Sequence, residues 1–421
     1  MVKNKKNEIQ TKSKELLGNA YLRAVNRSTV LELFKGGTRL SRSDVSRYCA
    51  LTKPTVSAIV DSLLTDGVLR EVGPGKSDGG RRATLIEMNP GFATFAGIHF
   101  GEEQTRVAIC DALGNTLAKK SVSTVTGDAR ASIRAANRLA IEALKSSGHN
   151  AKEINAVGVS VPGLIERQEG HCLIAPNLSW RNVPLGRLIS EIFDAPVSIA
   201  NTTQAGAVAE AQLGVAKGID NFIWVYVGKG VGSCTVSNGK ILYGRRGYTG
   251  EIGHCKVEHP GIVCGCGKRG CLETVCSDLA IVREYGDDSL TSEDICKAAE
   301  NGDELSRTII RNAGSALGLG ISHLINLYDP SMVVISGDEA GSSKLFVESA
   351  RQRALEDSLE PEGVGIVSSC LGKDVYLKGA LLMAMDLNNS TYRIVRGNNS
   401  FEPASSIDSV ESNGSTDFAR R

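Results

Sequence analysis

Hydrophobic positions first recur with a helical period. Over residues 26–36, Val30, Leu31, Leu33 and Phe34 share one face after the capping residue Asn26, and Gly36-Gly37 ends the run. A second amphipathic run opens at Ser41, with Val45, Tyr48 and Cys49 apolar. A third opens at Thr52, where Pro54 is tolerated in a first helical turn and Val56, Ile59, Val60 and Leu63 form the apolar face. Only Ala50-Leu51 separates the two. Past Asp66-Gly67 the pattern becomes that of two strands, VLREVG and ATLIEMN, joined by a Gly/Ser/Asp-rich turn that carries Arg81 and Arg82. Three helices and a hairpin predict a winged helix-turn-helix over residues 21–89.

From Pro90 the chain alternates strands with helices and Gly-rich turns. FATFAGIHF and RVAICDALG read as a hairpin-like pair, RASIRAANRLAIEALKSS as a helix, INAVGVSVPG and APVSIAN as strands, and TTQAGAVAEAQLG as a helix. A second set repeats the theme: NFIWVYVGKGVGSCTVSNGK, a long Ala/Gly helix around residues 304–328, then the strand MVVISG. This predicts α/β architecture in two similar halves over residues 90–386. Residues 387–421 are rich in Ser and Asn with little periodicity and read as a disordered tail, and residues 1–20 read as a basic tail.

Composition adds bounds. At 421 residues, 41% hydrophobic and 23% charged, the chain has material for two or three compact units and excludes wholesale disorder. No stretch approaches the ~18 apolar residues of a membrane helix, and the N-terminus lacks the apolar centre of a signal peptide, so a cytoplasmic location without membrane attachment is expected. The net charge of +1 conceals a split: residues 1–90 hold 16 Lys/Arg against 9 Asp/Glu, leaving 32 against 38 for the remainder. A basic N-terminal end points to a polyanion. Thr52, Lys53, Thr55 and Ser57 cluster at the start of the third helix, where a reading helix meets the major groove, and Arg81 and Arg82 sit where a wing reaches the minor groove. Taken singly these are ordinary surface polar residues; charge, turn, helix and wing together predict binding to double-stranded DNA.

Eleven cysteines form an odd total, and six of them fall between Cys234 and Cys276. Within HCKVEHPGIVCGCGKRGC, His254, Cys264, Cys266 and Cys271 offer one imidazole and three thiols on a Gly-rich loop, a set suited to a closed, structural, tetrahedral zinc. Cys255, Cys276 and His259 are possible substitutes, and reduced cysteines without metal are the alternative. Cys49, Cys110, Cys172, Cys296 and Cys370 are scattered and read as buried packing residues.

GYTGEIGH (247–254) followed by CGCGKRGCLE (264–273) resembles the signature of the ROK family, which joins repressors, uncharacterised frames and sugar kinases. The resemblance runs from about residue 23 to 385 and includes GRRATLIEMNP (80–90). It implies an actin-like, hexokinase-like domain of two lobes that close over a sugar. Carried over residue by residue, it also implies Val161-Pro162-Gly163 as the family's Pro-Gly turn and Asn177, Asn201, Glu251, His254 and Glu273 as sugar contacts. A His254 that gives one nitrogen to zinc keeps its other N–H for a hydroxyl.

The departures from the kinase pattern are equally specific. The catalytic Asp position holds Thr202, which cannot take a proton at neutral pH. The first phosphate loop becomes His99-Phe100-Gly101-Glu102-Glu103, with two carboxylates facing the nucleotide's place. Gly228-Lys229-Gly230-Val231-Gly232 retains the second loop, and Ser336-Gly337-Asp338 only part of the third. The resemblance therefore implies a regulator and no enzyme: a sugar-responsive repressor of carbohydrate uptake or catabolism genes, acting as a homodimer or homotetramer on an operator. Two alternatives remain, an active ATP-dependent sugar kinase that also binds DNA, and a regulator released from DNA by a transport-system protein.

Overall fold

The computed structural model describes residues 22–75, 82–148, 153–258, 260–338 and 340–394. Helix α1 covers residues 22–32, so Asn26 lies inside it and does not cap it, and Gly36 belongs to a short 3-10 turn with φ 69°. Helix α2 (Arg42–Cys49) starts at Ser41, whose hydroxyl accepts from the Asp44 N–H while the Asp44 carboxylate accepts from the Ser41 N–H. This reciprocal cap satisfies two donors that a helix start would otherwise leave orphaned. Thr52 caps α3 (Lys53–Thr65) one way, its hydroxyl accepting from the Thr55 N–H. Between α2 and α3, Ala50 adopts left-handed backbone with φ 52°, which turns the chain sharply without glycine. Strands β1 (Leu69–Pro74) and β2 (Thr84–Met88) pair antiparallel, and Leu40 bridges to Ile86, fastening the helices to the sheet.

Two five-stranded sheets follow, and their connectivity is the same. In the first, β3 (Thr94–Phe100), β4 (Gln104–Asp111) and β5 (Thr116–Ser123) run as an antiparallel meander. Helix α4 (Ala129–Ser146) leads to β6 (Ala156–Val161), parallel to β3, and β10 (Val197–Asn201) extends that side. Between β6 and β10 the chain makes a small sheet of β7 (Leu164–Glu166), β8 (His171–Ala175) and β9 (Trp180–Val183), then α5 (Leu185–Phe193). After α6 (Thr202–Leu213), the second sheet repeats the plan: β11 (Phe222–Val227), β12 (Val231–Ser237) and β13 (Lys240–Ile241) form the meander. Helices α7 (Glu273–Cys276), α8 (Asp278–Tyr285), α9 (Ser292–Glu300) and α10 (Glu304–Tyr328) come next. Strand β14 (Met332–Gly337) then runs parallel to β11, and β15 (Gly365–Ser368) follows α11 (Lys344–Asp357). The two halves expected from the sequence are these two lobes. Strands β3 and β6 are buried at every position, because helices cover both faces of the sheet.

Helix α12 (Val375–Ile394) packs on β3, β6 and β10 of the first lobe and on α6, which in turn packs on β11 and β12 of the second. The α6–α12 pair is thus the joint between lobes. Helix α12 also closes a core that runs without interruption from Val30, Phe34 and Val60 to Phe95, Cys110, Leu377 and Leu381. The N-terminal helices therefore rest on the outer end of the first lobe.

The sequence reading leaves out α5, α7, α8, α9, α11, α12 and β15, and differs elsewhere. Strand β5 and the β7–β8–β9 sheet are absent from it; β5 is mostly exposed and polar, and the other three strands are too short to show a period. Helix α12 continues to Ile394, past the expected boundary at 386, so only residues 395–421 of the expected tail lie outside the described residues. The basic tail 1–20 also lies outside them. No helix among the described residues is long and apolar enough to cross a membrane.

Candidate functional site

The ligand atoms of His254, Cys264, Cys266 and Cys271 all lie within 4.8 Å of one another. The loop is folded by its own backbone: Lys256 bridges to Cys271, Val263 bridges to Arg269, and the Gly267 N–H donates to the Cys264 carbonyl at 2.9 Å. His254 Nδ1 is 3.6 Å from Cys264 Sγ, and Cys266 Sγ is 3.7 Å from Cys271 Sγ. Thiolates at the ordinary metal–sulfur distance on a tetrahedron stand about 3.8 Å apart, so the four groups have the spacing a metal ion requires. Lys256 Nζ lies 3.0 Å from Cys271 Sγ. Of the possible substitutes, Cys276 is buried and donates to the Leu272 carbonyl, Cys255 is exposed and outside the cluster, and His259 lies outside the described residues.

The segment Gly250–His254 is seated on β12 by its glycines. A Cβ at Gly250 would fall 1.8 Å from the Ser233 carbonyl oxygen, and one at Gly253 would fall 2.3 Å from that of Val231. Side chains at neither position can fit, and the close seating fixes Glu251 and His254. With Nδ1 toward the thiols, His254 presents Nε2 to the other side, 3.9 Å from Glu251 Oε2. Desolvation raises the Glu251 carboxyl above its ordinary value; His254 counteracts this and the Glu273 charge adds to it. With 42% of the side chain exposed, the group remains open to a ligand.

The other expected sugar contacts are placed differently. Glu273, at the first turn of α7, accepts from the Val231 N–H at 3.1 Å through one oxygen and lies 3.7 Å from Cys264 Sγ through the other. It joins the His/Cys3 cluster to the β11–β12 turn. Asn201 caps α6, its Oδ1 accepting from the Gln204 N–H at 2.8 Å and the Thr203 hydroxyl at 2.9 Å. Asn177 is exposed and donates through Nδ2 to Glu102. Thr202 is the first residue of α6.

Where the kinase resemblance puts phosphate loops, opposite charges meet. Lys229, on the β11–β12 turn of the second lobe, reaches Glu102 at 2.9 Å and Glu103 at 3.7 Å on the β3–β4 turn of the first. The hydrogen bond to Glu102 is the main cause that holds the Lys229 ammonium above its ordinary pKa. The sequence reading saw the two carboxylates only as repelling phosphate; the signal for the pairing was Lys229 at the tip of the retained glycine loop. Beside it the contact between the lobes and α12 is aromatic. Tyr376 stacks near His99 at 5.0 Å and edge-on to Tyr226 at 5.9 Å, and the Tyr226 hydroxyl donates to Asp338 at 2.7 Å. Burial lowers His99 to about 4, assisted by Arg106, so its ring is neutral at pH 7.

In the N-terminal helices, Thr52 and Lys53 are exposed and Thr55 and Ser57 half-buried at the start of α3, on one outward end. Arg82 is exposed beside β2; Arg81 lies outside the described residues. Many cations counted from the sequence are committed internally: Arg27 to Asp66, Arg42 to Asp61, Arg47 to Asp44, and Arg39 and Arg70 to Glu87. Among the described residues, Lys53 and Arg82 carry no ion pair, so they and the start of α3 remain as cationic and polar surface.

A two-lobed α/β domain with repeated sheets, a His/Cys3 cluster beside the cleft and a helical N-terminal module defines a class related to hexokinase-like folds. Residues 95–386 match the ROK family, and the chain belongs to it. It is 30% identical over 354 residues to the xylose repressor of Caldicellulosiruptor bescii, covering 80% of this chain and 89% of that protein. It is 28% identical over 344 residues to the DNA-binding transcriptional dual regulator NagC of Escherichia coli, covering 79% and 85%. Among solved structures, a ROK family transcriptional regulator described as a homologue of the E. coli MLC protein is 26% identical, with a TM-score of 0.76 over 88% of this chain and 98% of that one. A ROK hexokinase from Thermus thermophilus, also 26% identical, gives 0.61 over 70% of this chain and 99% of that one.

Proposed function

We propose that the protein is a sugar-responsive, DNA-binding repressor of carbohydrate uptake or catabolism genes. Residues 21–89 act as a winged helix-turn-helix: α3 enters the major groove with Thr52, Lys53, Thr55 and Ser57 toward bases and phosphates, and the β1–β2 turn with Arg81 and Arg82 lies along the minor groove. Two copies of the module on a two-fold operator make the working unit a homodimer, or a homotetramer built from such dimers. The relatives named as repressors support this reading more than the kinases do, since they cover 79–80% of this chain and the regulator structure 88%, against 70% for the hexokinase.

Residues 90–386 are the sensor. The observation that carries this is the orientation of His254, with Nδ1 toward three thiols and Nε2 beside the Glu251 carboxylate on the open side. Three thiolates and one imidazole suit zinc in a closed structural site. Held there, His254 donates from Nε2 and Glu251 accepts, a pair matched to adjacent sugar hydroxyls, with Asn177 and Asn201 supplying amides and Glu273 anchoring the cluster. Phosphoryl transfer has no base in Thr202, and Glu102 and Glu103 occupy the nucleotide's phosphate side. A sugar that prefers one lobe closure shifts the dimer between spacings that do and do not fit the operator.

The test uses fluorescence anisotropy on DNA fragments selected by the purified protein, titrated with xylose and N-acetylglucosamine. Sugar is expected to release DNA from the wild type. Glu251→Ala is expected to keep DNA affinity and to lose about ten- to a hundredfold in sugar response, the cost of a charge-assisted hydrogen bond. Release unchanged in the variant would remove Glu251 from the site.

A further inference from the structure

The ion pair that spans the cleft mouth has a third member. Glu102 accepts from Lys229 Nζ of the second lobe at 2.9 Å and from Asn177 Nδ2 of its own lobe. Each turn is tied down within its own lobe. On the first, the Gly101 carbonyl accepts from the Thr124 hydroxyl at 2.7 Å and the Glu103 carbonyl from the Thr124 N–H at 2.9 Å. On the second, the Gly228 carbonyl accepts from the Asp278 N–H at 2.8 Å, and the Val231 N–H is held by Glu273 at 3.1 Å. Glu273 in turn lies against Cys264 of the metal cluster. A continuous path of polar contacts therefore runs from the His/Cys3 cluster through Glu273, the Lys229 turn and Glu102 to Asn177.

We propose that Glu102 and Lys229 are positioning residues for the effector: the interlobe pair orients the Asn177 amide toward the cleft and couples its contact with sugar to lobe closure. This rests on the reading of Asn177 as a sugar contact. Lys229 draws the two turns together by charge. With Lys229 half exposed and Glu102 30% exposed, the pair is screened by salt and modest in strength. Sugar occupancy, which holds both lobes, favours the state in which the pair is made. Separation of the lobes breaks it and leaves Glu102 and Asn177, both of the first lobe, without the cation that fixes their orientation.

The experiment compares the full-length protein with Lys229→Met, Lys229→Arg and the exchange Glu102→Lys with Lys229→Glu. Calorimetric affinities for xylose and N-acetylglucosamine are measured at 50 and 500 mM NaCl, and small-angle scattering is recorded without sugar. Lys229→Met is expected to weaken sugar affinity about two- to fivefold at low salt, to flatten its salt dependence, and to enlarge the sugar-free radius of gyration. Lys229→Arg is expected to retain all three, whereas the exchange, in which the Asn177 carbonyl oxygen can accept from the new lysine but Glu103 faces the new carboxylate, is expected to restore them only in part. Sugar affinity, salt dependence and scattering that are unchanged in a folded Lys229→Met overturn the proposal. Should the wild type bind neither sugar, the sensor reading fails, and scattering alone still decides the latch: an unchanged sugar-free radius overturns it.

Discussion

Glu87 lies on β2 with 6% of its side chain exposed, and the guanidinium groups of Arg39 and Arg70 reach its two oxygens at 2.8 and 2.6 Å. The hydrogen bonds from Arg39 and then Arg70 hold its carboxyl below the ordinary value of 4.5. A depressed folded pKa means that the unfolded chain binds the proton more readily. The stabilisation is therefore complete above about pH 4.5 and is lost as pH falls through the lower folded value. Glu87→Gln should lower stability at pH 7 by about 1 kcal/mol, at the upper end for a pair whose cations are half exposed. It should also flatten the decline of the N-terminal unfolding midpoint between pH 5 and 3; a decline as steep as in the wild type would place the pH dependence elsewhere. The same pairing explains a limit of the sequence reading. Counting charges located the basic end, but it could not show that five arginines are paired internally while, among the described residues, Lys53 and Arg82 carry no ion pair.

Caps and glycines carry most of the local information at the level of elements. Ser41 and Thr52 announced α2 and α3 because their hydroxyls satisfy the first backbone donors, and the structure uses both. Asn26 misled because an apolar stripe can begin after a helix has already started, and α1 runs through it. Helix α12 was legible only as the end of the domain; its partner surface is tertiary. There a Cβ at Gly158 on β6 would stand 1.8 Å from the Ala380 carbonyl oxygen, so strand and helix meet backbone to backbone. Gly158→Ala should cost about 1–3 kcal/mol by overpacking, seen as a lower thermal midpoint. Because α12 also belongs to the core shared with the N-terminal helices, operator affinity should fall with it; a variant as stable as the wild type would show that the helix can shift away freely.

Across the whole molecule, the metal cluster and the N-terminal module lie on different lobes. Leu272 and Cys276, next to the cluster, pack in the core of the second lobe, whereas the N-terminal helices share a core with the first. Metal removal should therefore separate two properties. The protein is expected to carry one zinc per chain by elemental analysis. Chelation should weaken sugar binding at least tenfold by releasing His254, while the steep salt dependence of DNA binding persists. Loss of DNA binding in step with the metal would mean that the cluster supports the fold of both lobes.

The sequence by itself determined the three N-terminal helices and hairpin, the two repeated α/β halves and the His254/Cys264/Cys266/Cys271 set, because each rests on local period, capping or ligand spacing. Tertiary structure alone decided what crosses between distant segments. It turned Glu102, 127 residues from Lys229 in the chain, into the partner of that lysine, set Glu273 between thiol and backbone, and joined the N-terminal core to α12. Contacts of this kind depend on two lobes being joined through α6 and α12, and no pattern within either segment encodes that distance.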